Sequence, residues 1–269
     1  MENGFKHCQA GSLHYLTIPA FIRTGKGKHA FTTRLGGVSR PPLDSMNLGL
    51  GRGDDPEAVL ENYRIVGNAV GFDPARMVFF HQVHGNDIFV AGEADAGCGF
   101  QPNSLAYDGI VTRVKNLPLA TFHADCVPVF LLDPVTEAVG VAHAGWRGTA
   151  LRTTAAAVQA MKREFGCKAE NILAAIGPCG GMCCYETDGD VPDAMRGAFG
   201  SAAEPYLMPG REKWHVDLAG LNQLVLLQEG ILDKNITMSN ECTCCQPDLY
   251  WSHRKTGGIR GCMAAIIMI

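Results

Sequence analysis

A mixed α/β fold, a layered sandwich of sheets and helices, is predicted by three features of this chain. Short apolar runs recur along it, several without the strict alternation of a half-buried strand, as in strands covered on both faces. Helical segments with clear start and stop signals lie between clusters of those runs, the pattern of α+β and mixed α/β folds. No linker, heptad series or internal repeat divides the sequence, so residues 1–269 read as one domain.

The strands expected in order are His29–Thr33, Met77–His81, Asp87–Ala91, Gly109–Thr112, Leu117–Phe122, Val127–Leu132, Ala138–His143, Ile172–Ile176 and the C-terminal run Cys262–Ile269. Three helices are expected among them. Asp55 is a cap, Pro56 the first helical position and Glu57 an early acid, with Gly71 closing the segment. From Gly148 to Phe165, Thr154, Val158, Met161 and Phe165 fall at helical spacing before Gly166. Asp217 caps a third segment reaching Glu229, with Gly230 as its stop.

Composition narrows the function classes. Only 19% of residues are charged and the net charge is −4, which argues against a nucleic-acid or anionic-membrane surface. The C-terminal apolar run is far too short to span a bilayer. Eleven cysteines, an odd number, follow an N-terminus without an apolar h-region, so a reduced thiol set in the cytoplasm is expected rather than a disulfide framework. Nothing demands a second subunit, and a monomer is the expectation.

Three stretches carry the chemistry: Gln82-Val83-His84-Gly85, His123-Ala124-Asp125-Cys126 and His143-Ala144-Gly145-Trp146-Arg147-Gly148. Each sets a His or Cys near the end of a strand-like run. Two imidazoles and one thiolate brought together hold zinc with a fourth position open, which is a catalytic rather than a structural arrangement. In extended chain His81 and His84 point to opposite faces, so at most one is expected at the site, and His84 beside Gly85 is the better choice. The same reasoning separates His123 from Cys126. Taken singly, Cys126 also reads as a small buried hydrophobe and His143 as a satisfied core histidine.

The groups Cys179/Cys183/Cys184 and Cys242/Cys244/Cys245 suggest a second zinc or an iron–sulfur cluster, but adjacent cysteines rarely share one ion, and buried thiols are the expectation. Arg34, after a strand and before Gly36-Gly37, suits phosphate: its guanidinium is a rigid fork and the glycines let amides approach. It reads equally as a surface arginine on a hairpin.

Taken in order, the motifs resemble the laccase-domain family, also called the YfiH type, whose members were described first as multicopper polyphenol oxidases and later as purine nucleoside phosphorylases. The resemblance runs through Phe31-Thr32-Thr33-Arg34, Gly36-Gly37-Val38-Ser39, Ser45-Met46-Asn47-Leu48-Gly49, Gly53-Asp54-Asp55-Pro56-Glu57, the three stretches above, Ala175-Ile176-Gly177-Pro178-Cys179 and Cys183-Cys184-Tyr185-Glu186. It implies a cysteine-hydrolase-like single domain, with His84, Cys126 and His143 as zinc ligands. It also implies phosphorolysis of adenosine, inosine, guanosine and methylthioadenosine, with adenosine deamination as a side activity. Where members carry Tyr-Arg-Arg and Thr-Gly-Arg, this chain has Ser252-His253-Arg254-Lys255 and Gly257-Gly258-Ile259-Arg260.

On this reading the partners are a purine nucleoside and phosphate. Arg34 holds phosphate, Asp125 or the zinc stabilises or protonates the departing base, and Tyr185 or Trp146 stacks on it. Asn47 and Arg147, within the same motifs, join the expected substrate contacts. Two competing chemistries are copper-dependent phenol oxidation and a Cys126–His143 hydrolase. The first is disfavoured because no His-x-His pair occurs among the nine histidines, although copper is a possible occupant of the same site. The second uses Cys126 as nucleophile.

Overall fold

The computed structural model describes residues 4–102 and 104–269. Its strands fall into three sheets. In the first, β1 (Lys6–Ala10), β2 (Leu13–Thr17), β3 (Lys28–Thr32), β14 (Met263–Met268) and β6 (Leu119–His123) lie in that order, all antiparallel. The second runs β13 (Ile236–Met238), β9 (Leu173–Ile176), β7 (Val127–Asp133), β8 (Ala138–Ala144), β5 (Gly109–Thr112) and β4 (Ile88–Val90). It is mixed: β13–β9 and β4–β5 pair in parallel, the rest antiparallel. A small third sheet holds β10 (Glu186–Thr187), β12 (Trp214–Val216) and β11 (Leu207–Pro209).

Strand periodicity explains the layering. Along β7, Phe130 and Leu132 join a core shared with Phe31, Leu119, Met263, Ala265 and Ile267 of the first sheet. The alternate residues Val129 and Leu131 point the other way, into a core with Val158 and Met161 of α4 (Thr153–Phe165) and with Leu221 and Val225 of α6 (Leu218–Gln228). On the far face of the first sheet, Ala264 and Ile266 pack with Val59, Tyr63 and Val66 of α2 (Pro56–Val70). The result is helix, sheet, sheet, helix. Every residue of β7 and β8 is buried, which is why both read as unbroken apolar runs.

Helix α2 keeps the expected punctuation: the Asp55 side chain accepts the Glu57 N–H, Pro56 occupies the first turn, and Gly71 closes it at φ 84°. The single helix expected from Gly148 to Phe165 is instead two, α3 (Trp146–Ala150) and α4. Arg152 adopts φ 61° at the break, while the Thr153 hydroxyl donates to the carbonyls of Gly85 and Gly148 at 2.6 and 2.9 Å. Those bonds tie the break to the His84 loop. Met77–His81 forms no strand; it is extended chain with single bridges at Val78–Leu119 and His81–Ala106. The β1–β2 hairpin and α5 (Asp190–Phe199) were not expected, because their polar and apolar residues are intermingled over short spans. Two short helices flank strands of the first sheet: α1 (Pro19–Ile22) lies between β2 and β3, and α7 (His253–Thr256) precedes β14. Among the described residues no helix is long and apolar enough to cross a membrane.

One core histidine makes stability depend on pH. His29 on β3 is 4% exposed; its Nε2 accepts the Ile18 N–H at 2.7 Å, and its Nδ1 is buried without a partner. Burial lowers the ring from its usual 6.5 to about 4. The unfolded ring binds a proton below about 6.5 and the folded ring only below about 4, so the contribution is complete above 6.5 and is lost as pH falls toward 4. Between pH 7 and pH 5 the loss is about 2 kcal/mol. Urea midpoints at the two pH values test this, and His29→Gln should flatten the difference.

Candidate metal centre and active site

The fold brings His84, Cys126 and His143 together: their donor atoms all lie within 4.8 Å of one another. Each comes from a different segment of the chain. His84, at φ 60°, sits in the loop that follows the extended Met77–His81 segment. Cys126 occupies the turn between β6 and β7, where Asp125 takes φ 87°. His143 lies near the end of β8, just before Gly145 and α3.

The organiser of this centre is a residue that sequence reasoning missed. Asp108 is fully buried immediately before β5. Its carboxylate accepts the backbone N–H groups of Val83, His84 and Gly85 at 3.1, 3.0 and 2.7 Å, which fixes the His84 loop. The same carboxylate lies 2.8 Å from His143 Nδ1, leaving Nε2 for the centre. Burial alone would raise Asp108, but the His143 ring and the amides outweigh it and hold the carboxyl below its ordinary value. A carboxylate behind a histidine sets the tautomer and orientation of a metal ligand. An aspartate directly ahead of a wholly buried strand was the signal.

The charges within the trio reinforce one another. Burial pushes the Cys126 thiol up, yet His143 and then His84 pull it down to about 6. Burial pushes His143 down, and the Cys126 thiolate and Asp108 raise it to about 9. Gly145 closes over the group: a Cβ there would stand 2.5 Å from His84 Nδ1 and 3.0 Å from Cys126 Sγ. A nitrogen–sulfur donor set of this spacing, with a thiolate-favouring field and a carboxylate behind one imidazole, fits a tetrahedral ion such as zinc.

The trio opens onto a cavity of about 380 Å³. Its walls include Phe79, Phe80 and Phe122, the polar side chains of His81 and Gln82, and the arginines Arg52 and Arg260. The volume is within the range of small-molecule sites, roughly 300–1,000 Å³. His81 and His84 both line it, contrary to the expectation that at most one would, because the chain turns between them instead of continuing as a strand. His123 is kept out of the trio. Its nitrogens are engaged by Thr121 Oγ1 at 2.8 Å and the Cys126 carbonyl at 3.1 Å, and burial holds the ring well below its usual value.

The other expected site residues stand elsewhere. Arg34 does not line the cavity: its guanidinium donates to the carbonyls of Pro247 and Asp44 at 2.8 and 3.1 Å and stacks 4.0 Å from the Trp251 ring. The cations on the cavity wall are Arg52 and Arg260, and Arg260 carries a buried Nε with no hydrogen-bond partner. Asn47 is fully buried; its amide ties Gly49, Asp54 and Cys262 together behind the wall. Asp125 turns its carboxylate away, accepting from Thr243 Oγ1 at 2.6 Å and the Arg254 N–H at 2.7 Å. Arg147 is exposed, 4.2 Å from the Trp146 ring. Tyr185 is half-buried with the Arg254 guanidinium 5.3 Å from its ring; burial, and next the Cys126 thiolate, push its hydroxyl up.

The cysteine groups also depart from expectation. Cys179 and Cys244 are buried thiols, but Cys183 and Cys245 are exposed. Cys183, Cys184, Cys242 and Cys245 form a second cluster with sulfurs within 4.8 Å of one another. Reading neither group as carrying Cys-x-x-Cys spacing passed over the signal: Cys242-Thr243-Cys244-Cys245 has it.

Comparison with known proteins agrees with this architecture. Over 240 residues, 88% of this chain and 86% of the relative, the chain is 37% identical to purine nucleoside phosphorylase YlmD of Bacillus subtilis (strain 168). It is 31% identical over 242 residues to adenosine deaminase RL5 from an unknown prokaryotic organism, covering 88% of this chain and 92% of that protein. The crystal structure of Bacillus licheniformis hypothetical protein YfiH superposes with a TM-score of 0.92 at 34% identity, over 98% of both chains. The sequence model of the family described as multi-copper polyphenol oxidoreductase laccase matches residues 28–269 and so takes in the trio, Asp108 and the cavity wall. On these matches, this protein belongs to the multi-copper polyphenol oxidoreductase laccase family.

Proposed function

We propose that this chain is a zinc-dependent purine nucleoside phosphorylase acting on adenosine, inosine, guanosine and methylthioadenosine, with adenosine deamination as a lesser activity. The observation that carries the reading is the cavity itself: a three-donor centre opens beside aromatic rings and two arginines. The printed names of the Bacillus subtilis relative and of RL5 support nucleosides as the substrate class.

His84, Cys126 and His143 would hold the ion, and zinc there supplies Lewis acidity beside the reacting atoms. Phosphorolysis joins a phosphate oxygen to the anomeric carbon and breaks the bond from that carbon to the purine nitrogen. The bonding pair leaves with the base, which then takes a proton. Arg260, with its unpartnered buried Nε, and Arg52 are the groups placed to bind phosphate, in the role first expected of Arg34. Phe79, Phe80 and Phe122 offer apolar surface to the base and exclude water. His81 on the same wall is within the cavity to pass a proton to the leaving purine. Asp108 holds His143 and the His84 loop in place throughout.

The decisive experiment gives inosine and adenosine to zinc-loaded protein with and without phosphate. Free base should appear only when phosphate is present; base release independent of phosphate, or none at all, refutes the reading. Arg260→Ala should raise the KM for phosphate roughly tenfold to a hundredfold, the loss of one charge-assisted hydrogen bond of 1.5–3 kcal/mol. The KM for the nucleoside should move less, and equal changes in both would remove Arg260 from the phosphate site.

Copper in the same trio is the nearest alternative. Two imidazoles and a thiolate suit one such ion. Among the described residues the only other donor cluster is made of thiols, so no set of imidazoles is available for a multinuclear centre.

A further inference from the structure

Several of the cysteines that the catalytic reading leaves unused meet across two loops far apart in sequence. A parallel bridge pairs Cys179 with Cys242, through Cys179 N–H to the Glu241 carbonyl at 3.2 Å and Thr243 N–H to the Cys179 carbonyl at 2.9 Å. Beyond the bridge each loop turns. The N–H groups of Cys184 and Tyr185 both return to the Gly181 carbonyl at 2.9 Å, so Cys183 and Cys184 project from a tight turn rather than from extended chain. That removes the alternation which would send neighbouring side chains to opposite faces. Opposite them, Cys242 and Cys245 are spaced as Cys-x-x-Cys.

We propose that Cys183, Cys184, Cys242 and Cys245 form a closed four-thiolate site for one structural zinc ion, separate from the His84–Cys126–His143 centre. The four sulfurs lie within 4.8 Å of one another, with Cys245 Sγ 3.5 Å from Cys183 and 3.4 Å from Cys184. Tetrahedral zinc with bonds of about 2.3 Å sets sulfurs about 3.8 Å apart, a separation close to those found here. Gly181 gives the cluster its room and one of its donors. A Cβ there would stand 3.3 Å from the sulfurs of both Cys183 and Cys242, while its N–H donates to Cys242 Sγ at 3.2 Å. Amide donors to sulfur stabilise metal-bound thiolates.

The site has a reason to exist at this place. The loops it joins hold the turn that carries Cys126: the Gly180 N–H donates to the Asp125 carbonyl at 2.8 Å, and Thr243 Oγ1 donates to the Asp125 carboxylate at 2.6 Å. An ion across the loops therefore clamps Asp125 at its positive φ and, through it, the neighbouring metal ligand. It also anchors the turn that leads into Tyr185 and β10.

The test is metal content of the full chain purified with zinc alone. Two zinc ions per chain are expected; Cys183→Ser/Cys245→Ser should keep one, and Cys126→Ser should keep the other. Both substituted positions of the double variant are exposed, which favours its folding. A second measurement does not depend on it: Cys126→Ser loaded with cobalt alone should give the intense visible bands of a tetrahedral thiolate complex. Unchanged zinc in the double variant, a Cys126→Ser protein with neither zinc nor those bands, or the absorbance of an iron–sulfur cluster overturns the proposal. None of these readouts uses nucleoside turnover, so failure of the proposed activity leaves the metal count as an independent result.

Discussion

Replacing Cys126 with serine is expected to abolish phosphate-dependent base release and to empty the catalytic centre of metal. The thiolate is the only anionic donor of the trio, and its ionisation is favoured there, at about 6, by the two imidazoles. A serine hydroxyl does not ionise near neutrality, so the variant offers two neutral nitrogens and a weak oxygen. Zinc measured after gel filtration should fall by one ion per chain, and turnover of inosine should drop to the assay background. The circular dichroism spectrum should stay that of the parent, because the substitution changes one atom in a turn. Turnover that persists without metal would sink the zinc assignment, and with it the Cys126 nucleophile of the hydrolase alternative.

Asp108→Asn is expected to weaken metal binding roughly 10- to 100-fold, the usual cost of removing a carboxylate behind a ligating histidine. The effect comes from two sides. An asparagine oxygen cannot satisfy three backbone N–H groups and the His143 ring together, and its own NH₂ faces those donors. The His84 loop loosens, and His143 loses the partner that fixes Nδ1 as donor. Competition with a chelator of known affinity measures the change directly. Zinc affinity equal to that of the parent would show that Asp108 only supports the loop; a drop in thermal stability alone would point the same way.

Local signals made parts of this molecule readable from its residues. Asp55, Pro56 and Gly71 bracket α2 because caps and breakers act within one turn of the chain. The buried strands β7, β8 and β14 stand out because burial on both faces leaves continuous apolar runs. The break between α3 and α4 was invisible, since it depends on Thr153 reaching the carbonyl of Gly85, 68 residues earlier. Met77–His81 has the composition of a strand, but it pairs with its neighbours only at single bridges.

The same division runs through the site. Residue type and position next to apolar runs make His84, Cys126 and His143 candidates, because imidazole and thiol side chains are legible without coordinates. Which charged groups face the ligand is not a local property. Arg34 looks like a phosphate residue in its hairpin, yet Trp251 and the Pro247 carbonyl, more than 200 positions away, claim its guanidinium, while Arg260 arrives at the cavity from just before the last strand. Asp108 and the four-cysteine cluster are likewise products of long-range packing. The sequence by itself determined the chemistry available and the α/β layering, through hydrophobic period and turn residues. Only the tertiary structure decided which donors converge, because a hydrogen bond or a metal ligand is chosen by distance in space, and sequence separation places no limit on it.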